Sequence, residues 1–99
     1  MSYLFEDKRT FNEDISRWNV LNVTEMTWMF KGAESFNQPL NNWNISNVIS
    51  MICMFERAES FNQDISDWDV SKVKDMVFMF QGAKSFNQDI SSWDGLYLY

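Results

Sequence analysis

Apolar and polar positions along the chain recur with a step of 25 residues. Phe11, Phe36, Phe61 and Phe86 share one column, followed in turn by Asn12, Asn37, Asn62 and Asn87. Ile15, Leu40, Ile65 and Ile90 form a second column, and Trp18, Trp43, Trp68 and Trp93 a third. Met26, Met51 and Met76 keep the same step, as do Met29, Met54 and Met79, Phe30, Phe55 and Phe80, and Ala33, Ala58 and Ala83; Met1, Leu4 and Phe5 start in register with them. Such a period marks a repeat architecture, in which no unit buries its apolar face alone and neighbours complete the core. The pattern predicts one repeat domain over residues 1–99, with coil units at about 1–25, 26–50, 51–75 and 76–99.

Within a unit the period changes. Ile65, Trp68, Val70 and Val73 follow the spacing of a leucine-rich-repeat strand segment, and the alternation Asp67-Trp68-Asp69-Val70-Ser71 predicts a half-buried strand with Trp68 and Val70 inward. Val73, Met76, Met79, Phe80 and Ala83 then fall on one face of a short helix, with Ser71 as its N-cap and Gly82, or Gly32 in an earlier copy, as the left-handed residue that ends it. Position 57 carries Arg and position 7 Asp, so glycine is not used in every copy. The expected fold is an α/β repeat solenoid like that of leucine-rich repeats: about four 25-residue coils, parallel strands on one face and short helices on the other. Stacking in register makes the Trp, Phe and Met columns into core ladders, with Trp18, Trp43, Trp68 and Trp93 buried rather than set out for ligands. Asn12, Asn37, Asn62 and Asn87 form a polar ladder whose amides satisfy backbone groups of their own and the neighbouring coil.

The unit is fullest in Met76-x-x-Met79-Phe80-x-Gly82-Ala83-x-Ser85-Phe86-Asn87-Gln88-Asp89-Ile90-Ser91-x-Trp93-Asp94. It resembles the surface-protein repeat of the BspA-like leucine-rich family, in the Met-Phe…Phe-Asn-Gln-Asp variety abundant in lipoproteins of wall-less bacteria. The resemblance covers residues 1 to 94 and implies a right-handed leucine-rich-type array displayed at a cell surface or outside the cell, associated with adhesion and host contact. Similar arrays also occur in large DNA viruses. The family offers no catalytic motif to carry over, and this chain has no signal peptide at its polar start.

Composition narrows the chemistry. The 99 residues carry 7 Met, 5 Trp and 9 Phe against 1 Pro and 3 Gly, an excess that the repeated columns account for. With no His there is no imidazole base, His-based triad or His metal site. The single cysteine, Cys53, sits in the column of Tyr3, Trp28 and Phe78 and builds neither a disulfide framework nor a zinc cluster. That column is either a partly buried apolar position or an aromatic ridge that makes contacts. Lys and Arg number 8 against 14 Asp and Glu, a net charge of −6 that argues against nucleic acid, and the short apolar runs argue against membrane insertion. The expectation is a non-enzymatic chain that uses no cofactor and no metal.

The outward positions of the predicted strand carry the candidate binding face: Arg17, Asn42, Asp67 and Ser92 in one column, Asn19, Asn44, Asp69 and Asp94 in the next. A polar, varied face on a rigid scaffold suits protein contact, or glycan contact. Calcium needs about six oxygens from several residues, and most of these positions are Asn, Ser or Arg. Asn22-Val23-Thr24 and Asn44-Ile45-Ser46 match the N-glycosylation pattern, which follows from repeat composition. Stacked repeats need capped ends. Here Met1 starts mid-pattern and the apolar Leu96, Tyr97, Leu98 and Tyr99 follow Gly95 as a weak cap, so at least one end is expected to be covered, by end-to-end self-association or docking into a larger assembly. Two functions follow: a repeat scaffold for protein–protein or surface adhesion contacts, or a structural component of an assembly, virion or coat-like, packing through its uncapped ends.

Overall fold

In the repeat, polar backbone must be satisfied without a long regular element, and the chain does this by alternating the destination of its amides. The computed structural model describes residues 1–93. The amides of Met26, Trp28, Phe30 and Gly32 donate to the carbonyls of Ser50, Ile52, Met54 and Glu56 at 2.8–3.0 Å. Between them, Met29, Lys31 and Ala33 donate locally to Met26, Trp28 and Phe30. Even-numbered amides here reach the next copy and odd-numbered ones close a turn, so every backbone donor from 28 to 33 has a partner. The same alternation joins the first copy to the second, through Tyr3, Phe5 and Asp7, and the third to the fourth, through Met51, Cys53, Phe55 and Arg57. Residues 25 apart therefore sit in neighbouring layers, called first to fourth in chain order.

The expected helices are absent from the described residues. Met76–Ala83 instead runs through consecutive turns, closed by Met79 N–H to the Met76 carbonyl, Gln81 to Phe78 and Ala83 to Phe80. Each copy places two residues in the left-handed region: Tyr3, Trp28, Cys53 and Phe78 at φ 56–67°, and Asp7, Gly32, Arg57 and Gly82 at φ 58–74°. A positive φ at the third turn residue alone defines a type II turn and cannot continue an α-helix. For the non-glycine residues it costs about 1–2 kcal/mol each. An added Cβ at 32 would meet the Asp7 carboxylate and one at 82 would lie 3.2 Å from the Arg57 side chain, while Asp7 and Arg57 themselves hold the same left-handed φ in the other layers.

The expected strands are also absent from the described residues. Ile65 to Trp68 is a turn closed by the Trp68 amide on the Ile65 carbonyl, Val70 to Val73 is another, and the same pair recurs at Leu40–Trp43 and Ile45–Val48. The β pairing among the described residues is two isolated parallel bridges, Glu25 to Ser50 and Ser50 to Asp75, and Asp75 falls inside the Val73–Ala83 segment where a helix was expected. The α/β leucine-rich-type solenoid is thus corrected: the molecule is a globule of 31 × 27 × 20 Å built from turns, with no helix and almost no strand among its described residues. Apolar residues three apart suit successive turns as well as a helix face, and the left-handed residue in each copy selects the turns.

The core lies between the layers' turns. Phe30, Phe36, Phe55 and Phe61 are fully buried, with Met26, Met29, Met51, Met54, Ile65 and Ala58 among them. Equivalent phenyl rings stack from layer to layer, Phe5 on Phe30 at 5.5 Å, Phe30 on Phe55 at 5.4 Å and Phe55 on Phe80 at 5.7 Å. Within a layer Phe30 stacks on Phe36 at 4.4 Å and Phe55 on Phe61 at 4.2 Å. Each ring buries large apolar area and gains further from the offset contact.

Candidate functional site

The turns that replace the strands are held by short polar side chains. Asp14, Asp64 and Asp89 each accept the amide two residues on, from Ser16, Ser66 and Ser91, at 2.9 Å. Asn19, Asn44 and Asp69 do the same for Leu21, Ser46 and Ser71, at 3.0–3.1 Å. These are Asx turns, the local bonds that make Asp and Asn compete with regular structure. The serine hydroxyl beside Asp14, Asp64 and Asp69 holds each carboxyl below its ordinary range with help from the same serine's amide, and at Asp89 the amide of Ser91 leads. The motif Asp-Ile-Ser, present at 14–16, 64–66 and 89–91, carries that signal in the sequence.

This divides the candidate face. Asn19, Asn44 and Asp69 spend their side-chain oxygens on their own backbone, and Asp94 lies outside the described residues. Arg17, Asn42, Asp67 and Ser92 are all exposed, one per layer. Ser92 bridges to the Ser66 carbonyl at 3.2 Å, and with Asp67, Asp89 and Ser91 it lines a shallow open cleft of about 330 Å³. Asn47 donates to the Leu21 carbonyl at 2.8 Å and accepts from Lys72 at 3.0 Å. Among the described residues no three His, Cys, Asp or Glu side chains come together as a metal site.

Trp43, Trp68 and Trp93 are buried; Trp18, in the first layer, is 41% exposed. The indole N–H of Trp43 donates to the Ile15 carbonyl at 2.9 Å and that of Trp68 to the Leu40 carbonyl at 3.0 Å, while the buried Trp93 nitrogen has no partner among the described residues. The asparagine column is a ladder of identical rungs. Asn12, Asn37 and Asn62 each accept, through Oδ1, the amide of the asparagine one layer on, at 2.8–2.9 Å. Gln38, Gln63 and Gln88 add a second rung, each donating Nε2 to both the carbonyl and Oδ1 of the asparagine in the layer before. The glutamines escape a reading that looks only for apolar columns, although Phe-Asn-Gln recurs in three copies.

The column of Tyr3, Trp28, Cys53 and Phe78 divides by neighbourhood. Tyr3 and Phe78 are 52% and 45% exposed, Trp28 is half-buried with the Tyr3 ring edge-on at 5.2 Å and Lys31 Nζ 4.4 Å from its ring centre, and Cys53 is buried. Burial raises the Cys53 thiol above its ordinary range, and the Glu56 charge adds to the effect. Leu96, Tyr97, Leu98 and Tyr99, the expected end contacts, lie outside the described residues. No helix is long and apolar enough to cross a membrane among the described residues.

Neither the curated proteins nor the solved structures contain a match to this chain. A family model described as Mycoplasma protein of unknown function, DUF285, matches residues 1–96, nearly the whole of the repeat array. The chain belongs to the DUF285 family.

Proposed function

We propose that the chain is a non-enzymatic contact scaffold that binds protein, or the glycan of a glycoprotein, through the exposed column Arg17, Asn42, Asp67 and Ser92. The observation that carries this reading is a contrast between columns. Residues that hold the layers together are repeated almost unchanged, whereas this exposed column changes from cationic to neutral to anionic to hydroxyl along the stack. Arg17, Asn42 and Asp67 make no side-chain hydrogen bond among the described residues and Ser92 makes one, to the Ser66 carbonyl; positions with so little structural duty are where recognition can vary at small cost to folding. The family match supports the finer placing of the chain among BspA-like surface repeats, for which adhesion and display outside the cell are the corresponding expectations. The non-enzymatic reading is supported by the absence of histidine and by aspartates held ionised in turn-capping roles.

The test is capture of host-cell surface proteins and immobilised glycans by the chain, compared with the Arg17→Ser, Asp67→Ser double variant. Loss of capture with an unchanged melting curve supports the face; undiminished capture by the double variant rejects it. The assembly reading, in which the chain packs through its ends, predicts instead that Asp67→Ser alone, in the third layer, leaves association unchanged and that only substitutions in the outermost layers alter it.

A further inference from the structure

We infer that Lys8 and Glu13 guard one edge of the stack, keeping the first layer of one copy from adding to the fourth layer of a second copy. The interface that such an addition would make is already present between the layers of one chain. Through the turn segments, Tyr3–Asp7, Met26–Gly32 and Met51–Arg57, alternate amides of one layer donate to carbonyls of the following layer. The fourth layer ends this series with the amides of Met76, Phe78, Phe80 and Gly82, which have no acceptor among the described residues, and Phe80, Phe86 and Ile90 are only partly buried beside them. The first layer presents the opposite edge: the carbonyls of Ser2, Leu4 and Glu6 stand in the columns of Thr27, Met29 and Lys31, which accept amides from the layer before. Backbone and phenyl stack alone would let copies join head to tail.

Two side chains of the first layer break the match. Lys8 occupies the column of Ala33 and Ala58, both fully buried, and of Ala83; in a joined pair its ammonium would lie against Ala83 of the second copy. Glu13 occupies the column of Gln38, Gln63 and Gln88, whose amides donate to the carbonyl and Oδ1 of the asparagine in the layer before. A carboxylate has no proton to give and would face the two oxygens of Asn87 in the second copy. Lys8 and Glu13 are exposed in the single chain, so both charges are solvated there and would lose that water on joining. Charged residues at an open edge are a device that keeps backbone edges apart. This inference stands apart from the contact face, which lies on the sides of the layers.

Sedimentation velocity of the whole chain across a dilution series tests it. The parent stays a single chain, while Lys8→Ala with Glu13→Gln self-associates, its association constant rising roughly a hundredfold or more. Each single variant gives a smaller rise, and Leu4→Asp, placed at the same edge in the double variant, returns it to single chains. Circular dichroism melting checks that every variant folds. A double variant that stays monomeric, a parent that associates as strongly, or association that survives Leu4→Asp would overturn the inference.

Discussion

The inner and outer layers are made from the same columns and end in different states. In the second and third layers Phe30, Phe36, Phe55 and Phe61 are fully buried; their counterparts Phe5, Phe11, Phe80 and Phe86 are only partly so. Trp43 and Trp68 are covered and hydrogen-bonded, whereas Trp18 stands 41% exposed. The residue type is constant and the number of neighbouring layers is what changes. Stability in such a stack is a property of interfaces between layers more than of any layer alone.

The largest expected effect tests that statement directly. Phe55→Ala removes a ring stacked on three other phenyl groups and leaves a cavity, at about 3–5 kcal/mol in urea unfolding. Phe80→Ala, the same column one layer out, should cost less, about 1–2 kcal/mol, because part of the ring already meets water and no described layer covers its far side. Equal losses at the two positions would mean that layer neighbours do not set the energetics.

The asparagine ladder gives a smaller contrast. Asn37→Ala leaves the Asn62 amide without its acceptor and Gln63 Nε2 with the residue-37 carbonyl alone, at about 1 kcal/mol since the site is exposed and water replaces part of the loss. Asn87 accepts no such bonds among the described residues, and Asn87→Ala should stay within about 0.5 kcal/mol. Chemical denaturation of both variants decides between a ladder that adds rung by rung and one that is mere surface polarity.

The smallest effect is with pH, and it sets the second layer apart from the others. Asp14 is the capping aspartate of the first layer with a depressed pKa, Pro39 replaces it in the second, and Asp64, Asp69 and Asp89 lie in the third and fourth. A carboxyl depressed on folding contributes stability that is complete above its unfolded pKa, about 4, and is lost as pH falls through the lower folded value. The amides of Ser66, Ser71 and Ser91 should therefore lose protection below about pH 4 while that of Ser46, capped by Asn44, keeps it. Amide exchange by NMR across that range checks this. Asp64→Asn with Asp69→Asn should flatten the response and keep the turns, as Asn19 and Asn44 do in their own layers.

Much of this was legible along the chain. The 25-residue step identifies which residues meet across layers, since each column of Phe or Asn sits over its own copies. The aspartates of Asp-Ile-Ser were not read as turn cappers, because the apolar columns drew the reading to strand and helix, although that bond closes over two residues and needs no distant partner. The candidate face was legible only as a set of polar positions. Which of them are free, Asp67, and which are committed to backbone, Asp69, depends on where the turn bends between Ile65 and Trp68.

By itself, then, the sequence determined the period, the contents of the core, the charge and the absence of histidine chemistry, all of which depend on residue identity and spacing alone. The tertiary structure decided the backbone. Spacings of three and four fit a helix as well as a run of turns, and the choice falls to turns because Trp28, Phe30 and Gly32 give their amides to the next layer, a bond that exists only once that layer is in place.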